Sequence, residues 1–254
     1  MLVAERYEKI VELVNARGSI RVSELSELCG VTEETIRRDL DRLEQAGRLR
    51  RSHGGAVSVK DQAAQPETPY AEREIIHAEE KRRIAQEAVR LIQPHDRIIL
   101  DASSTAWYMA VHLPDMPLTV LTNSIKVALE LSGKEKIEVI STGGILASRS
   151  LSYVGPLAER SLDAYYVDKA FFSCKGVHLE RGISDSNEPQ ARVKQKILSR
   201  AGQVILLADA SKFGTQAFTL VAGLNEVDAI VTDRRLPKEM LDRLTEQGIA
   251  VTTV

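Results

Sequence analysis

This sequence has little of what marks several large classes of protein. Only two cysteines, Cys29 and Cys174, occur in 254 residues, too few for a disulfide framework or a thiolate metal cluster, and consistent with a reducing compartment. His77, His95, His112 and His178 stand singly, without metal-ligand spacing, so no metal is expected. No apolar run approaches the roughly 20 residues of a membrane span. The opening MLVAERYEKI lacks the apolar core of a signal peptide, and a cytoplasmic protein is expected. Neither a G-x-G-x-x-G fingerprint nor a G-x-x-x-x-G-K-[ST] loop occurs, which removes the usual dinucleotide and nucleotide cradles and leaves no cofactor expected. There is no internal repeat and no low-complexity tract.

What is present is ordinary globular material, 43% hydrophobic and 28% charged, with a formal net charge of −2. Two domains suit this length. The chain as a whole is no polycation, so a nucleic-acid partner requires locally concentrated positive charge. Residues 37–51 supply it, with six arginines against Asp39, Asp41 and Glu44.

Those arginines lie in VTEETIRRDLDRLEQAGRLRRSHGGA, residues 31–56. Ile36, Leu40 and Leu43 recur at helical spacing, Thr32 is placed to cap the N-terminus, and Glu33 and Glu34 suit the dipole there. The helix is expected to stop near Gly47. Arg38 lies on the face opposite the apolar stripe, with Thr35, Arg37 and Arg42 on its flanks. Arg50, Arg51 and His53 then lead into Gly54-Gly55, which reads as a basic hairpin. Upstream, Tyr7, Ile10, Val11 and Val14 mark a helix over Arg6–Arg17 closed by Gly18. Val22, Leu25 and Leu28 mark a second, shorter helix before the Cys29-Gly30-Val31 turn. Helix, short helix, glycine turn and longer helix form the helix-turn-helix pattern, whose last helix enters the major groove. Double-stranded operator DNA is the expected partner, and a homo-oligomer (dimer or tetramer) would pair half-sites.

The run TIRRDLDRLEQAGRLRRSHGGA resembles the winged helix-turn-helix of the DeoR family of bacterial transcriptional regulators. The winged domain is expected over 1–57, a polar, Pro-containing linker over 58–70 and a sensor domain over 71–254. In the sensor, Glu72–Ile92 has the pattern of one long helix. Beyond it, apolar runs at 97–100, 118–121, 137–140, 168–172, 203–208 and 229–231 alternate with helical segments. That alternation predicts a mostly parallel sheet covered on both faces.

Five of these runs end in small or polar residues: Asp101-Ala-Ser103-Ser104-Thr105, Thr122-Asn123-Ser124, Ser141-Thr-Gly143-Gly144, Ser173-Cys-Lys175-Gly176 and Asp209-Ala-Ser-Lys212. Ligands of open α/β sheets bind outside the carboxyl ends of strands. Backbone amides at helix N-termini together with Lys175 and Lys212 suit an anion. A small phosphorylated sugar is the expected effector. Trp107 is either an apolar wall for a sugar carbon or a core aromatic. Asp185, Asn187 and Glu188 either accept sugar hydroxyls or cap the helix at Pro189.

The sensor half also resembles the DeoR family in DASST (101–105), LTNS (121–124), Gly143-Gly144, Lys175-Gly176 and DASKFG (209–214). That resemblance implies a fold like ribose-5-phosphate isomerase and a repressor of a sugar-catabolism operon released by a phosphorylated sugar. DASST stands where many members have a DxGTT loop. With Trp107-Tyr108 and FSCKG (172–176), the variant is closest to regulators of fucose- and rhamnose-type operons, which implies a 6-deoxyketose 1-phosphate. The alternative is an isomerase-like enzyme with an accessory DNA-binding domain, for which Asp101, Glu188, Lys175 and Lys212 would be the chemical groups. No catalytic residue is expected on the regulator reading.

Overall fold

The computed structural model describes residues 3–17, 19–45, 48–52, 54–58 and 67–254. The chain divides into two compact units, Met1–Gln65 and Pro66–Val254.

In the first unit, α1 (Val3–Arg17), β1 (Ser19–Arg21), α2 (Val22–Cys29) and α3 (Glu33–Gln45) precede the strands β2 (Leu49–Ser52) and β3 (Gly55–Ser58). The strands form an antiparallel sheet in the order β1-β3-β2. Gly30 ends α2 in a left-handed conformation, φ +66°, and its N–H reaches the carbonyls of Ser26 and Glu27. Thr32 caps α3, its hydroxyl oxygen accepting the Thr35 N–H at 3.3 Å. Ile36, Leu40 and Leu43 pack inward with Ile10, Val14, Leu25 and Leu49. Leu28 departs from its expected place: it is exposed, and Cys29 turns inward instead. The expected stops at Gly18 and Gly47 lie outside the described residues. Strand β3 runs to Ser58, one residue past the expected domain end.

Asp39 does not weaken the basic surface of α3 as its sequence position suggests. It is buried and takes two hydrogen bonds from Arg6, at 2.6 and 3.2 Å.

The second unit opens with α4 (Tyr70–Ile75) and α5 (Ala78–Val89), two helices where the sequence pattern predicts one. Tyr70, expected in the linker, begins α4 and is buried. His77, at φ +54°, breaks the chain between the helices. The Lys81 amine sits in the break and donates to the carbonyls of Arg73 and Ile76. That contact satisfies carbonyls a continuous helix would have used itself.

Strands and helices then alternate: β4 (Arg97–Leu100), α6 (Ser104–His112), β5 (Leu118–Thr122), α7 (Ile125–Leu131) and β6 (Ile137–Ser141). A small hairpin of β7 (Ile145–Ala147) and β8 (Ser152–Val154) leads to α8 (Pro156–Leu162) and β9 (Val167–Phe172). Next come β10 (Gly176–His178), β11 (Gly182–Asp185), α9 (Glu188–Leu198), β12 (Ala201–Leu207) and β13 (Thr219–Ala222). The unit ends with β14 (Ala229–Thr232), α10 (Lys238–Glu246) and β15 (Ala250–Thr253).

Seven strands form one parallel sheet in the order β15-β14-β12-β9-β4-β5-β6. Core clusters lie on both of its faces, one around Phe172, Ile197 and Leu206, the other around Ile84, Met109 and Phe171. Phe171 and Phe172 point to opposite faces, as strand periodicity requires. From β4 the chain moves outward through β5 to β6, whereas β9 starts a run outward through β12 to β15. The strand order therefore reverses between β4 and β9, and the crevice of such a sheet opens at that point.

Removing one partner of a buried ion pair is costly, and the shallow burial of Arg6 and Asp39 moderates that cost. Asp39→Ala should lower the stability of the first unit by about 2 kcal/mol. Denaturant unfolding of the variant with an unchanged midpoint would contradict it.

Candidate functional site

In the first unit the side chains of α3 divide into inner and outer sets. Arg38 is 75% exposed, with Glu34 at 3.3 Å as its ion-pair partner. Arg37 pairs with Glu33 at 2.6 Å, and Arg42 donates to the Tyr7 hydroxyl at 3.2 Å. All three are exposed. Thr32 and Thr35 sit at the N-terminus of the same helix, and Thr32 is also the cap. In the hairpin, Arg51 is tied back to α3: its guanidinium pairs with Asp41 and its N–H donates to Glu44 at 2.7 Å. Arg50 faces Val57 in the ladder, and His53 lies outside the described residues. Gly54 is exposed at φ +86°, the conformation this turn needs. Gly55 has a packing reason for lacking a side chain, because a Cβ there would lie 2.2 Å from the Ile20 carbonyl oxygen.

In the second unit a cleft opens at the reversal of strand order. Ser103, Ser104 and Thr105 line it from the β4 exit, Ser173, Cys174 and Lys175 from the β9 exit, and Lys212 from the β12 exit. Ser103 caps α6, its hydroxyl oxygen accepting the Ala106 N–H at 3.0 Å, and the first two residues of that helix, Ser104 and Thr105, line the cleft. Asp101 lies beneath, fully buried, accepting the N–H groups of Ser103 and Ser173.

Several lining residues come from parts of the chain where the sequence drew no attention. Segment 67–81 forms a wall through Glu67, Thr68, Arg73, Ile76 and Lys81, and α9 contributes Lys194. The Lys194 amine is buried and donates to the Ser173 carbonyl at 2.6 Å and to Asp185 at 2.5 Å, with Asp101 at 3.5 Å. Burial alone would lower the pKa of this amine. Asp185 and Asp101 outweigh it and hold the amine charged, above its ordinary range. Lys81 has no carboxylate in contact, and burial together with repulsion from Lys212 outweighs the more distant Asp209 and Glu80 and pulls its amine down to about 8. Lys175 is lowered for the same reasons. Burial pushes Glu67 up, with Arg73 opposing.

Five cations (Arg73, Lys81, Lys175, Lys194 and Lys212) thus line the cleft against two carboxylates, Glu67 and Asp185. Since Asp185 is taken up by Lys194, the open part of the cleft is positive and suits an oxyanion.

Other expected positions lie apart from this cleft. Strand β6 is two places from β4, about 10 Å at ordinary strand spacing, and Gly143 and Gly144 at its exit turn the chain into β7. A Cβ on Gly144 would meet the Val154 carbonyl oxygen at 2.8 Å. At the β5 exit, Ser124 is spent locally and Asn123 only in part, since its Oδ1 is buried without a hydrogen-bond partner. The Asn123 amide donates to the Tyr153 carbonyl at 3.0 Å, and the Ser124 hydroxyl oxygen accepts the Val127 N–H. Gly176 packs against Thr215, where a Cβ would stand 2.4 Å from the carbonyl oxygen. Trp107 lies tilted against Tyr108 at 4.9 Å and takes the Lys126 amine over its ring at 4.8 Å, in a separate groove with Leu129 and Gly133. Glu188 is exposed and paired with Arg192 at 2.7 Å. Asn187 caps α9 by accepting the Gln190 N–H at 3.2 Å. No group of three His, Cys, Asp or Glu among the described residues has metal-holding geometry.

Residues 6–62 match the DeoR-like helix-turn-helix domain, and residues 76–234 match the DeoR C terminal sensor domain. The chain belongs to the DeoR family. An uncharacterised HTH-type transcriptional regulator of Bacillus subtilis, YulB, is 56% identical over 254 residues, all of this chain and 98% of that protein. The L-fucose operon activator of Haemophilus influenzae is 39% identical, covering 98% of this chain and 99% of the relative. The transcriptional repressor GlcR of Bacillus subtilis is 37% identical, covering 98% and 95%. Ribose 5-phosphate isomerase A of Methanocaldococcus jannaschii is similar over 54% of this chain and 55% of its own, at 19% identity and a TM-score of 0.41, a degree of likeness that supports no argument about chemistry. As a DeoR-family member the chain is a sugar-responsive transcriptional regulator that binds DNA through its helix-turn-helix. Such regulators are not enzymes, which sets aside the isomerase alternative.

Lys194 holds two carboxylates that would otherwise be buried together. Lys194→Met should therefore destabilise the second unit by about 3–5 kcal/mol. Chemical denaturation measures this, and a loss below about 1 kcal/mol would show the triad to be weakly coupled.

Proposed function

We propose that this DeoR-family regulator is an operator-binding repressor of a sugar-catabolism operon, released when a phosphorylated sugar occupies the cleft at the β4–β9 reversal. The observation that carries this reading is the surplus of cations in a cleft lined by the N-terminus of α6. The first-turn amides of α6, Lys175 and Lys212 present positive potential that a neutral sugar cannot use. A 6-deoxyketose 1-phosphate such as fuculose or rhamnulose 1-phosphate is the proposed effector. The sequence resemblance to fucose- and rhamnose-type regulators supports it, as does 39% identity to a protein named for the L-fucose operon. Release requires the effector to favour the conformer with low affinity for DNA, because equal affinity for both shifts nothing.

A mobility shift with DNA upstream of the gene, run with and without sugar phosphates, tests the reading. Fuculose or rhamnulose 1-phosphate should free the DNA, and the unphosphorylated sugars should do little. Lys212→Ala should keep DNA binding and need more than tenfold more effector, the loss expected for one charge-assisted partner of a desolvated phosphate. Release by the free sugars at the same concentration would overturn the phosphate reading.

On the DNA side, the exposed Arg38 is proposed to reach base edges and Arg51 to hold phosphate. Arg38→Ala should cost ~1–3 kcal/mol on operator and relax specificity at one position. Arg51→Ala should weaken operator and random DNA alike and make the salt slope shallower by about 1. Equal effects of both substitutions on both DNAs would refute the division.

A further inference from the structure

We infer that Arg73, on α4, is a direct ligand of the effector's anionic group, and that α4 is the element through which the sensor registers its effector. The inference rests on the proposed anion in the cleft. It adds a residue and a route that neither the strand exits nor the family match assigns.

The first support is incomplete bonding. Arg73 lines the cleft, and its Nε and Nη2 atoms are buried without a hydrogen-bond partner. The nearest carboxylate, Glu67, stands 3.7 Å from Nη2, too far for a hydrogen bond. Burial also raises the Glu67 pKa, which works against its holding the charge that would pair with Arg73. Unmatched guanidinium donors inside a protein are costly. The group whose geometry meets two parallel N–H donors is a phosphate or carboxylate taken bidentately.

The second support is preorganisation. The guanidinium stacks 5.5 Å over the Tyr70 ring. Tyr70 is itself fixed, buried, with its N–H donating to the Arg149 carbonyl at 2.7 Å. The fork therefore waits in place and loses little freedom on binding.

The third support is what holds α4. Its C-terminal carbonyls are gripped by side chains rather than by a continuing helix. Ser104, of the cleft loop, donates to the Arg73 carbonyl at 3.2 Å, and Tyr108 donates to the Glu74 carbonyl at 3.2 Å. Lys81 donates to the Arg73 and Ile76 carbonyls. An anion drawing on Arg73, Lys81 and the Ser104 loop acts on the same few atoms that dock α4. Among the described residues, α4 is the first helix after the DNA-binding unit. The effector's charge thus reaches the chain where it enters the sensor.

The test uses the full-length protein with Arg73→Gln, and with Arg73→Lys, which keeps the charge and loses the fork. Calorimetry with fuculose 1-phosphate, rhamnulose 1-phosphate and inorganic phosphate gives affinities; the mobility shift gives the concentration that releases DNA. Arg73→Gln should bind the sugar phosphates and inorganic phosphate at least about tenfold more weakly, the loss of one charge-assisted pair. It should need correspondingly more effector to leave DNA, while binding DNA within about twofold of wild type without effector. Arg73→Lys should fall between the two, and it decides the matter if Arg73→Gln does not fold. Wild-type affinity in Arg73→Lys and in any folded Arg73→Gln, with the wild-type protein responding normally, overturns this inference and leaves the anion reading intact. A wild-type protein that binds none of the three phosphates overturns both.

Discussion

The sensor depends on one buried amine. Lys194 reaches from α9 to the reversal of strand order and joins the Ser173 carbonyl at the end of β9, Asp185 at the end of β11 and Asp101 after β4. Two carboxylates and an amine would each be expensive to bury alone, and together they are tolerable. With Lys194 in place, Asp101 can spend its oxygens on the Ser103 and Ser173 amides, which fixes the two loops that face each other across the cleft. Because Asp185 is occupied by Lys194, the half-buried Arg73, Lys175 and Lys212 are left for a ligand.

Charge is thereby sorted by partner. Lys194 is in contact with two carboxylates and is structural. Lys81, equally buried, and Lys175 have no carboxylate in contact, and burial and the neighbouring Lys212 draw both amines down. An anion entering the cleft would relieve that repulsion, which is why a set of mutually repelling cations reads as a binding site rather than as a stabilising network. The same economy is visible at α3, where Asp39 is consumed internally by Arg6 and so does not offset the outer arginines.

Much of this was legible in the sequence, and the rest was hidden for definite reasons. The stripe of Ile36, Leu40 and Leu43 and the Gly30 turn define the helix-turn-helix because they are local features. The apolar runs give the parallel strands, and the β4, β9 and β12 exits supply Ser103, Ser104, Thr105, Lys175 and Lys212 to one cleft. Strand order is a tertiary property, so the sequence could not tell that the β6 exit, with Gly143 and Gly144, stands two strands away. The continuous helix expected over 72–92 is broken at His77, at φ +54°, and the Lys81 amine serves the carbonyls freed there. Lys81 and Lys194 did leave a trace: each stands on an apolar helical stripe, Lys81 with Ile84, Ala85 and Ala88, Lys194 with Ala191, Ile197 and Leu198. A lysine on an inward face is the signal that would have found them. Arg73 carries no comparable mark.

The central claim is that a phosphate belongs at the β4–β9 reversal, and a structure of the full-length protein soaked with fuculose 1-phosphate tests it most directly. The account predicts the phosphate oxygens accepting hydrogen bonds from the α6 first-turn amides, Lys212 and the Arg73 fork, with the Lys194 triad unchanged. A phosphate seated instead in the groove of Trp107 and Lys126, or a ligand held through its sugar with the phosphate in solvent, would contradict it.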